Sequence, residues 1–346
     1  MLLPSSRLVA SVARSQLRKG SRRSGVAVAA TSQAAGGVSS GDAVGVRFKA
    51  VTADDARAVV DSSDSVRGDA YFVVGDDTVP HRLPGLHAAV LGLQPHALVT
   101  QRLSAPFGLK SDEHLVSVPP QYVPPGLSVG VTVSMGDGRT GVVRSLTSAG
   151  CVVDCNHEFA GLDVDISLEI VAHTPASRLE TVVFGMGCFW SPQLKFDRLP
   201  GVMATSVGYA NGQMPDPDYE SVCTGQTGHA EVVQVRFDPA VVSFDAVLAY
   251  FFDNHDATQV NRQGNDTGTQ YRSGIYTTTP EQLLAAQAAV AERQAKTGKR
   301  IASDVEPLKK YYPAEGYHQD YLVRGGGQGN PQSARKLCND PVRCYG

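Results

Sequence analysis

Cys188 is the residue of this sequence whose surroundings most favour chemistry. It follows an apolar run that ends in glycine, residues 181–187, and it precedes Phe189 and Trp190. The apolar run predicts a short buried strand, and Ser191-Pro192 predicts the first turn of a helix. A thiol beside the free N–H groups of a helix N-terminus has a lowered pKa and is a good nucleophile. On this motif alone, a small core cysteine is an equally good interpretation.

Four more motifs follow in the second half of the chain. They are Gly208-Tyr209, residues 217–223, residues 227–231 and residues 261–273. Together with the segment around Cys188, these motifs closely resemble the peptide methionine sulfoxide reductases of the A type. The resemblance covers about residues 179–346.

Reduction of a sulfoxide by a thiol requires a thiolate, a proton donor and an apolar cage for the S-methyl group. Cys188, Glu231 and the Phe189-Trp190 pair have the residue types for these roles, and burial would raise the pKa of Glu231 enough for proton donation. Without the resemblance, an acidic residue at a strand start such as Glu231 is more often a solvated residue at a strand edge. The resemblance assigns Glu231 as the catalytic acid, and it implies that three polar residues bind the sulfoxide oxygen or a catalytic water: Tyr219, Asp266 and Tyr271. Each phenol has the alternative of a half-buried core ring.

Two cysteines near the C-terminus, Cys338 and Cys344, follow the glycine-rich stretch 325–331. A sulfenic acid on Cys188 would normally condense with a second thiol, and a flexible tail allows such a thiol to reach it. The alternatives are inert cysteines or half of a zinc site, and a four-ligand zinc site lacks further ligands here. The tail resembles that of chloroplast-type family members, which implies that these cysteines resolve the sulfenic acid and pass the disulfide to thioredoxin. The order in which they act is left open, and Cys223 is expected to be a buried neighbour of the site.

The predicted fold class is α+β, with a ferredoxin-like α/β plait over residues 179–346. Ser243 is suited to cap a helix over residues 244–252, whose apolar residues recur at helical spacing. Thr279-Pro280 opens a second helix that is expected to run to about Thr297.

Residues 1–41 differ in composition from the rest of the chain. They contain six basic residues and no Asp or Glu, with many Ser and Ala. This composition predicts a disordered organelle transit peptide, for the chloroplast or alternatively the mitochondrion. The other interpretation is a basic arm that binds nucleic acid. Since the whole chain has a net charge of −3, loss of this segment leaves a more acidic protein, which argues against nucleic acid as a partner.

Residues 43–172 show a different pattern of short strands, with one short helix near residues 83–91. A mainly antiparallel β domain is expected here. The order of elements, and above all residues 153–161, resembles the SlyD subgroup of FKBP-type peptidyl-prolyl isomerases, with its β-rich insert at about residues 112–152. The resemblance implies an apolar pocket with walls from Phe48, Leu83 and Phe107.

The middle region departs from that isomerase family at the catalytic pocket. The strand at residues 97–101 lacks the family's Phe and Asp, and the tripeptide that follows is Pro106-Phe107-Gly108. We therefore expect weak or absent isomerase activity and a module that binds unfolded substrate. A short linker, residues 173–178, would tether it to the reductase and raise the local concentration of exposed peptide near Cys188.

Composition bears on membrane association. With 42% hydrophobic and 19% charged residues, and no apolar run of the ~20 residues that a membrane helix needs, no membrane association is expected. A monomer without a bound cofactor or metal is also expected, and the family resemblance implies thioredoxin and oxidised or unfolded proteins as partners. Two other functions compete: a thiol peroxidase or disulfide oxidoreductase, and a chaperone or peptidyl-prolyl isomerase whose reductase half is secondary. The first is disfavoured because the sequence has no Cys-x-x-Cys motif.

Overall fold

The computed structural model describes residues 9–10, 36–63, 68–78, 83–136, 139–326 and 329–344. The strands in chain order are β1 Val9–Ala10, β2 Ala43–Thr52, β3 Val59–Ser62, β4 Ala70–Val73, β5 Leu98–Leu103, β6 Leu115–Val118, β7 Thr132–Ser134, β8 Thr140–Thr147, β9 Gly150–Asp154, β10 Val164–Thr174, β11 Glu180–Met186, β12 Val202–Ala210, β13 Ala230–Phe237, β14 Arg262–Gln263, β15 Asp266–Thr267, β16 Ser273–Thr277, β17 Asp304–Pro307 and β18 Tyr311–Pro313. The helices are α1 Leu86–Val90, α2 Trp190–Asp197, α3 Tyr219–Cys223, α4 Phe244–Asp253 and α5 Pro280–Thr297, and 3₁₀ turns cover Asp112–His114, Pro120–Tyr122 and Thr269–Tyr271.

The described residues form two compact units. The first consists of strand β1 with residues 52–58 and 102–164. The second contains the described parts of 34–51, 59–101 and 165–346. The predicted boundary between a middle domain, residues 43–172, and a reductase domain, residues 179–346, is therefore not a boundary between these units.

The first unit is built on a five-stranded sheet with the order β1-β7-β8-β9-β6. Its strand pairs β7–β8, β8–β9 and β6–β9 are antiparallel. A small core of valines and Cys151 covers one face of the sheet. The predicted β-rich insert, residues 112–152, lies within this unit, which extends beyond it at both ends.

The first sheet of the second unit has the strand order β3-β2-β10-β5. Strand β4 also belongs to this sheet, because it pairs with β2. Strand β2 pairs antiparallel with both β3 and β4, so the predicted antiparallel character is confirmed for these pairs. The alternation of buried and exposed residues along β10 is the period of two that its sequence predicts.

The second sheet of this unit has six strands in the order β17-β16-β11-β13-β12-β18. Its four central strands follow the chain order β11-α2-β12-β13-α4-β16, and β13 lies between β11 and β12 with antiparallel register to both. This is the split βαβ plan of a ferredoxin-like plait, and it agrees with the α+β fold predicted for this part of the chain.

One face of the six-stranded sheet is covered by helices. Phe184 of β11 stacks on Phe196 of α2 and on Phe251 of α4, with ring centroids 5.3 and 4.9 Å apart. Helix α4 forms where its sequence predicts, because Ser243 accepts a hydrogen bond from the Ala246 N–H and the apolar residues share one side. This packing fixes the ends of β11 and α2, the two elements that flank Cys188.

Residues 173–178, the predicted linker, are held by the buried carboxylate of Asp238. The Thr174 hydroxyl donates to it at 2.8 Å, and the Arg178 guanidinium donates two hydrogen bonds at 2.9 and 2.6 Å. Thr174 is only 1% exposed. The segment is therefore a packed connection and not a free tether.

The N-terminal leader predicted over residues 1–41 lies mostly outside the described residues. At its end, however, Val38 is buried and its N–H donates to the Leu93 carbonyl, and the Gly41 N–H donates to Val74. The folded chain thus includes residues ahead of the predicted start at residue 43, and the predicted disorder does not extend over residues 38–41. None of the helices in the described part of the chain has the length and apolar character needed to cross a membrane.

Candidate active site

Cys188 lies in the turn between β11 and α2. The turn depends on Gly187, which has a φ of +83° and would bring a Cβ atom within 2.5 Å of Gln263 Cβ. Helix α2 begins at Trp190, so the half-buried Cys188 thiol lies just before the first helical turn, as predicted.

Glu231 lies on β13, an internal strand, directly across from Tyr209 of β12. It is 1% exposed, and its Oε2 accepts a hydrogen bond of 3.2 Å from the Phe189 N–H. Burial raises the pKa of this carboxyl well above its usual value, and the negative charges of Cys188 and Asp266 raise it further, against the opposing Phe189 hydrogen bond. The interpretation of Glu231 as a solvated edge residue is therefore wrong.

The three predicted polar residues interact electrostatically with Glu231. Burial raises the pKa of the Tyr271 phenol, and the charges of Glu231, Cys223, Cys188 and Asp266 raise it further. Burial likewise raises the pKa of Tyr219, with a hydrogen bond to Cys223 and the charge of Glu231 next. Both phenols therefore remain protonated donors at neutral pH, within the electrostatic reach of the carboxyl group.

The predicted aromatic pair divides into two roles. Phe189 is 1% exposed and packs with Tyr209, Val207 and Val222 beneath the site. Trp190 is half-buried and its ring stacks on Tyr321 with centroids 3.9 Å apart. Trp190 therefore offers an apolar surface, whereas Phe189 acts as packing below it.

Glu315 and His318 also belong to the site, although neither was assigned a role from the sequence. Glu315 accepts hydrogen bonds of 2.8 Å from the Tyr209 hydroxyl and from the Tyr219 N–H. His318 is 2% exposed, and its Nδ1 accepts from Trp190 Nε1 at 3.2 Å. The roles of Glu315 and His318 depend on contacts that form only after folding.

Of the two tail cysteines, Cys344 contacts Cys188. A hydrogen bond with Cys188 lowers the pKa of Cys344 against the effect of burial, and the Ser191 N–H also donates to Cys344. Cys338 lies in a turn in which its N–H donates to the Arg335 carbonyl at 3.0 Å. Cys223 is exposed, so the prediction that it is buried is wrong, although it does neighbour Tyr219.

The residues predicted for an isomerase-like pocket have different surroundings. Phe48 and Leu83 are 3% and 0% exposed and are core residues of the second unit. Phe107 belongs to the first unit, where its ring stacks on His157 with centroids 4.0 Å apart. The apolar pocket wall expected from Phe48, Leu83 and Phe107 stays a prediction. Across the described residues, no group of three His, Cys, Asp or Glu side chains could hold a metal ion.

A half-buried thiol before a helix, a buried carboxyl group of raised pKa and two protonated phenols define an oxidoreductase that acts through cysteine. The family described as "Peptide methionine sulfoxide reductase" matches residues 180–339. The peptide methionine sulfoxide reductase of Lactuca sativa is 51% identical over 209 residues, which cover 60% of this chain and 77% of the relative. The chain therefore belongs to the peptide methionine sulfoxide reductase family.

Two further proteins illustrate the similarity. The peptide methionine sulfoxide reductase A4, chloroplastic, of Arabidopsis thaliana is 52% identical over 50% of this chain and 67% of its own length. The crystal structure of Mxr1 from Saccharomyces cerevisiae in complex with Trx2 is 28% identical, covers 41% of this chain and 86% of that chain, and has a TM-score of 0.31. The prediction of an A-type reductase is confirmed for the C-terminal part.

Proposed function

We propose that this protein reduces the S epimer of methionine sulfoxide, free or in proteins, with Cys188 as nucleophile and Glu231 as proton donor. The observation that carries this proposal is the hydrogen bond from the Phe189 N–H to Glu231, which keeps a carboxyl group of raised pKa beside the nucleophile. A carboxyl group that stays protonated near neutral pH is a competent general acid. The epimer preference rests on the family resemblance.

In the first step the Cys188 thiolate attacks the sulfoxide sulfur while Glu231 donates a proton to the oxygen. The attack forms an S–S bond between Cys188 and the methionine sulfur. This bond and the S–O bond of the sulfoxide then break as the protonated oxygen bonds to the Cys188 sulfur. The methionine sulfur gains two electrons, and Cys188 loses two electrons and becomes a sulfenic acid. Tyr219, Tyr271 and Asp266 would bind the oxygen or a water, and Trp190 would contact the S-methyl group.

In the second step the Cys344 thiol attacks the sulfenic acid, which releases water and forms a Cys188–Cys344 disulfide. The contact between these two cysteines supports Cys344 as the first resolving residue. Cys338 would then take over the disulfide by thiol exchange. Thioredoxin, as a dithiol, would reduce this disulfide, become oxidised and return all three cysteines to the thiol state.

A single-turnover experiment tests the first step. We expect the Cys338→Ser/Cys344→Ser double variant to produce one methionine per protein and to hold a sulfenic acid on Cys188, detectable by mass spectrometry after trapping with dimedone. The Cys188→Ser variant is the control and should produce no methionine. A trapped sulfenic acid on another cysteine would contradict the assignment.

For residues 43–172 we propose an FKBP-like module, with a β-rich insert, that binds unfolded substrate and has weak isomerase activity. Exposed apolar side chains of the first unit support this proposal, since such residues can contact exposed hydrophobic peptide; they are Leu109, Leu115, Tyr122, Val129 and Leu146.

The full-length chain with Leu109→Ser and Leu115→Ser tests the substrate-binding role. We expect a higher KM for an oxidised unfolded protein and an unchanged KM for a free blocked methionine sulfoxide. The matched control is Leu284→Ser, an exposed leucine on α5. Equal KM values for the unfolded protein in all variants would contradict the role. If the unsubstituted protein prevents the aggregation of an unfolded protein but reduces no sulfoxide, the chaperone or isomerase alternative explains its function better.

We also propose that residues 1–41 direct the protein to the chloroplast. The supporting observations are the basic, acid-free composition of this segment and the similarity to a chloroplastic relative. Fusion of residues 1–41 to a fluorescent protein should give chloroplast fluorescence in plant cells. Mitochondrial fluorescence would favour the alternative, and diffuse fluorescence would contradict both.

A further inference from the structure

The residues before Cys344 form a closed loop. Gln332 donates from its amide Nε2 to the Arg343 carbonyl at 2.7 Å, and its Oε1 accepts from the Arg343 N–H at 2.9 Å. Beyond the loop, Cys344 packs against a cluster that contains Leu194 and Trp190 of α2. Cys344 directly follows the loop 332–343. Contacts that hold this loop in place therefore also hold Cys344 near Cys188.

Arg198, just after α2, holds this loop from the reductase side. Its guanidinium donates to the carbonyls of Ser333 at 2.7 Å and Asp340 at 2.6 Å. Its own carbonyl accepts from the Leu337 N–H at 2.9 Å. Arg198 is buried, so these charge-assisted hydrogen bonds are shielded from water.

Lys336 holds the same loop from another side. Its Nζ donates to the Val202 carbonyl at 2.6 Å and lies 4.4 Å from the centre of the Tyr71 ring. Burial lowers the pKa of Lys336, whereas the charge of Asp197 opposes that shift. A partly desolvated ammonium over a phenol ring is a strong form of the cation–π interaction.

Tyr71 lies on β4, far outside the matched region of residues 180–339. Its ring is kept in place by packing with Ala43, Val73 and Met203. The neighbouring Gly68 approaches the loop as well, because a Cβ atom there would lie 2.6 Å from Arg335 Cγ. The N-terminal sheet is thus in direct contact with the loop that leads to Cys344.

We propose that Tyr71 is a positioning residue for disulfide formation: through Lys336 it holds the loop 332–343 so that Cys344 stays against Cys188. The proposal rests on the proposed function, in which Cys344 resolves the sulfenic acid. It gives the N-terminal sheet a role in the second chemical step that is independent of substrate binding and of isomerase activity.

Rapid-quench kinetics on the full chain separate the two steps. In Tyr71→Leu and in Lys336→Met we expect methionine formation in the first turnover to keep its rate within about twofold. Disulfide formation should slow about tenfold, the loss expected for a partly desolvated cation–π pair. Tyr71→Phe keeps the aromatic ring and should resemble the parent. The double variant Tyr71→Leu/Lys336→Met should be no slower than either single variant.

The matched control is Lys310→Met, which removes another lysine over a tyrosine ring, 4.2 Å from Tyr312, away from the loop. It should leave disulfide formation unchanged. Unchanged disulfide formation in Tyr71→Leu, or equal slowing of both steps, would overturn the proposal.

Hydrogen exchange tests the same contact without catalysis. The Leu337 amide donates to Arg198, so peptides that cover residues 332–344 should exchange faster in Tyr71→Leu than in the parent and Tyr71→Phe. Unchanged exchange would overturn the positioning role even if the protein reduced no sulfoxide. Faster exchange in a protein that forms no methionine would contradict the proposed function and leave the contact between Tyr71 and the loop supported.

Discussion

The backbone N–H of Phe189 donates a hydrogen bond of 3.2 Å to Oε2 of Glu231. Because Phe189 follows Cys188 directly, this bond ties the acid on β13 to the turn that carries the nucleophile. The bond therefore helps to hold the acid and the nucleophile at a fixed separation. A displacement of either β13 or the turn would change the position of the acid relative to the thiol.

Glu231→Gln should reduce turnover by about 10²- to 10⁴-fold, because the amide cannot supply the proton that a general acid donates. The parent should lose activity as the pH rises through the elevated pKa of Glu231, since only the protonated carboxyl group is a donor. The measurement is kcat against pH with a saturating blocked sulfoxide. A kcat that falls at no pH above the usual carboxyl range would contradict the role of Glu231.

The same pKa shift predicts a change in stability. The folded state binds the Glu231 proton more tightly than the unfolded state does, so the stabilisation is complete below the usual carboxyl pKa. It is lost as the pH rises through the elevated folded-state pKa. Glu231→Gln should remove this loss, so its free energy of unfolding in urea should fall less than that of the parent between about pH 6 and pH 9. Parallel losses in both proteins would argue against a buried, protonated carboxyl group.

Gly187→Ala should destabilise the protein and displace Cys188. A side chain at φ +83° is strained, and its Cβ would lie 2.5 Å from Gln263 Cβ. We expect a loss of about 2–4 kcal/mol in the free energy of unfolding, together with reduced turnover. Gly264→Ala is the matched control, because it has φ +58° with open space around the new Cβ. It should cost only about 1 kcal/mol. Equal losses in the two variants would show that the contact with Gln263 has no effect.

Glu315→Ala should affect both stability and substrate binding. It removes the acceptor of the Tyr209 hydroxyl and of the Tyr219 N–H, and an unsatisfied buried donor costs about 1–3 kcal/mol. Because Tyr219 loses its anchor, KM should rise. Adding Tyr209→Phe removes the hydroxyl that has lost its acceptor. The double variant should therefore recover part of the lost free energy of unfolding, but its KM should stay raised. Strictly additive losses would contradict this account.

Asp238→Ala should be among the most destabilising carboxylate replacements in the second unit. It leaves Thr174 and Arg178 without their buried acceptor, and the loss should be about 2–4 kcal/mol. The control is Asp253→Ala, whose ion pair with Arg293 is exposed and should contribute at most about 1 kcal/mol. Urea unfolding measures both losses. Similar small losses would mean that the connection at residues 173–178 does not depend on Asp238.

The sequence predicted the parts of the site that depend on local pattern. The strand before Cys188, the helix start after it and the Ser243 cap are each determined by neighbouring residues, and all three are present. Cys188 and Glu231 were predicted because both lie in the motifs that carry the family resemblance. The hydrogen bond from the Phe189 N–H to Glu231 joins the turn after β11 to β13. These two residues are distant in sequence, so no local pattern could predict the bond.

The features that the sequence did not predict depend on tertiary packing. Nothing in the neighbours of Phe48 and Leu83 along the chain shows that other elements bury them completely. Residues 173–178 have the composition of a linker, and their anchoring depends on Asp238, which is sixty residues from Arg178 in the sequence. Glu315 and Tyr71 were missed for the same reason: each acts on residues that only the folded chain brings near.

The most direct test of the proposed activity is the reduction of the separated S and R sulfoxides of a blocked methionine by the full-length protein, with thioredoxin and its reductase as the electron source. Cys188→Ser is the control variant. We expect turnover of the S epimer only and none in Cys188→Ser. Turnover of the R epimer at a similar rate, or undiminished turnover in Cys188→Ser, would contradict this proposal.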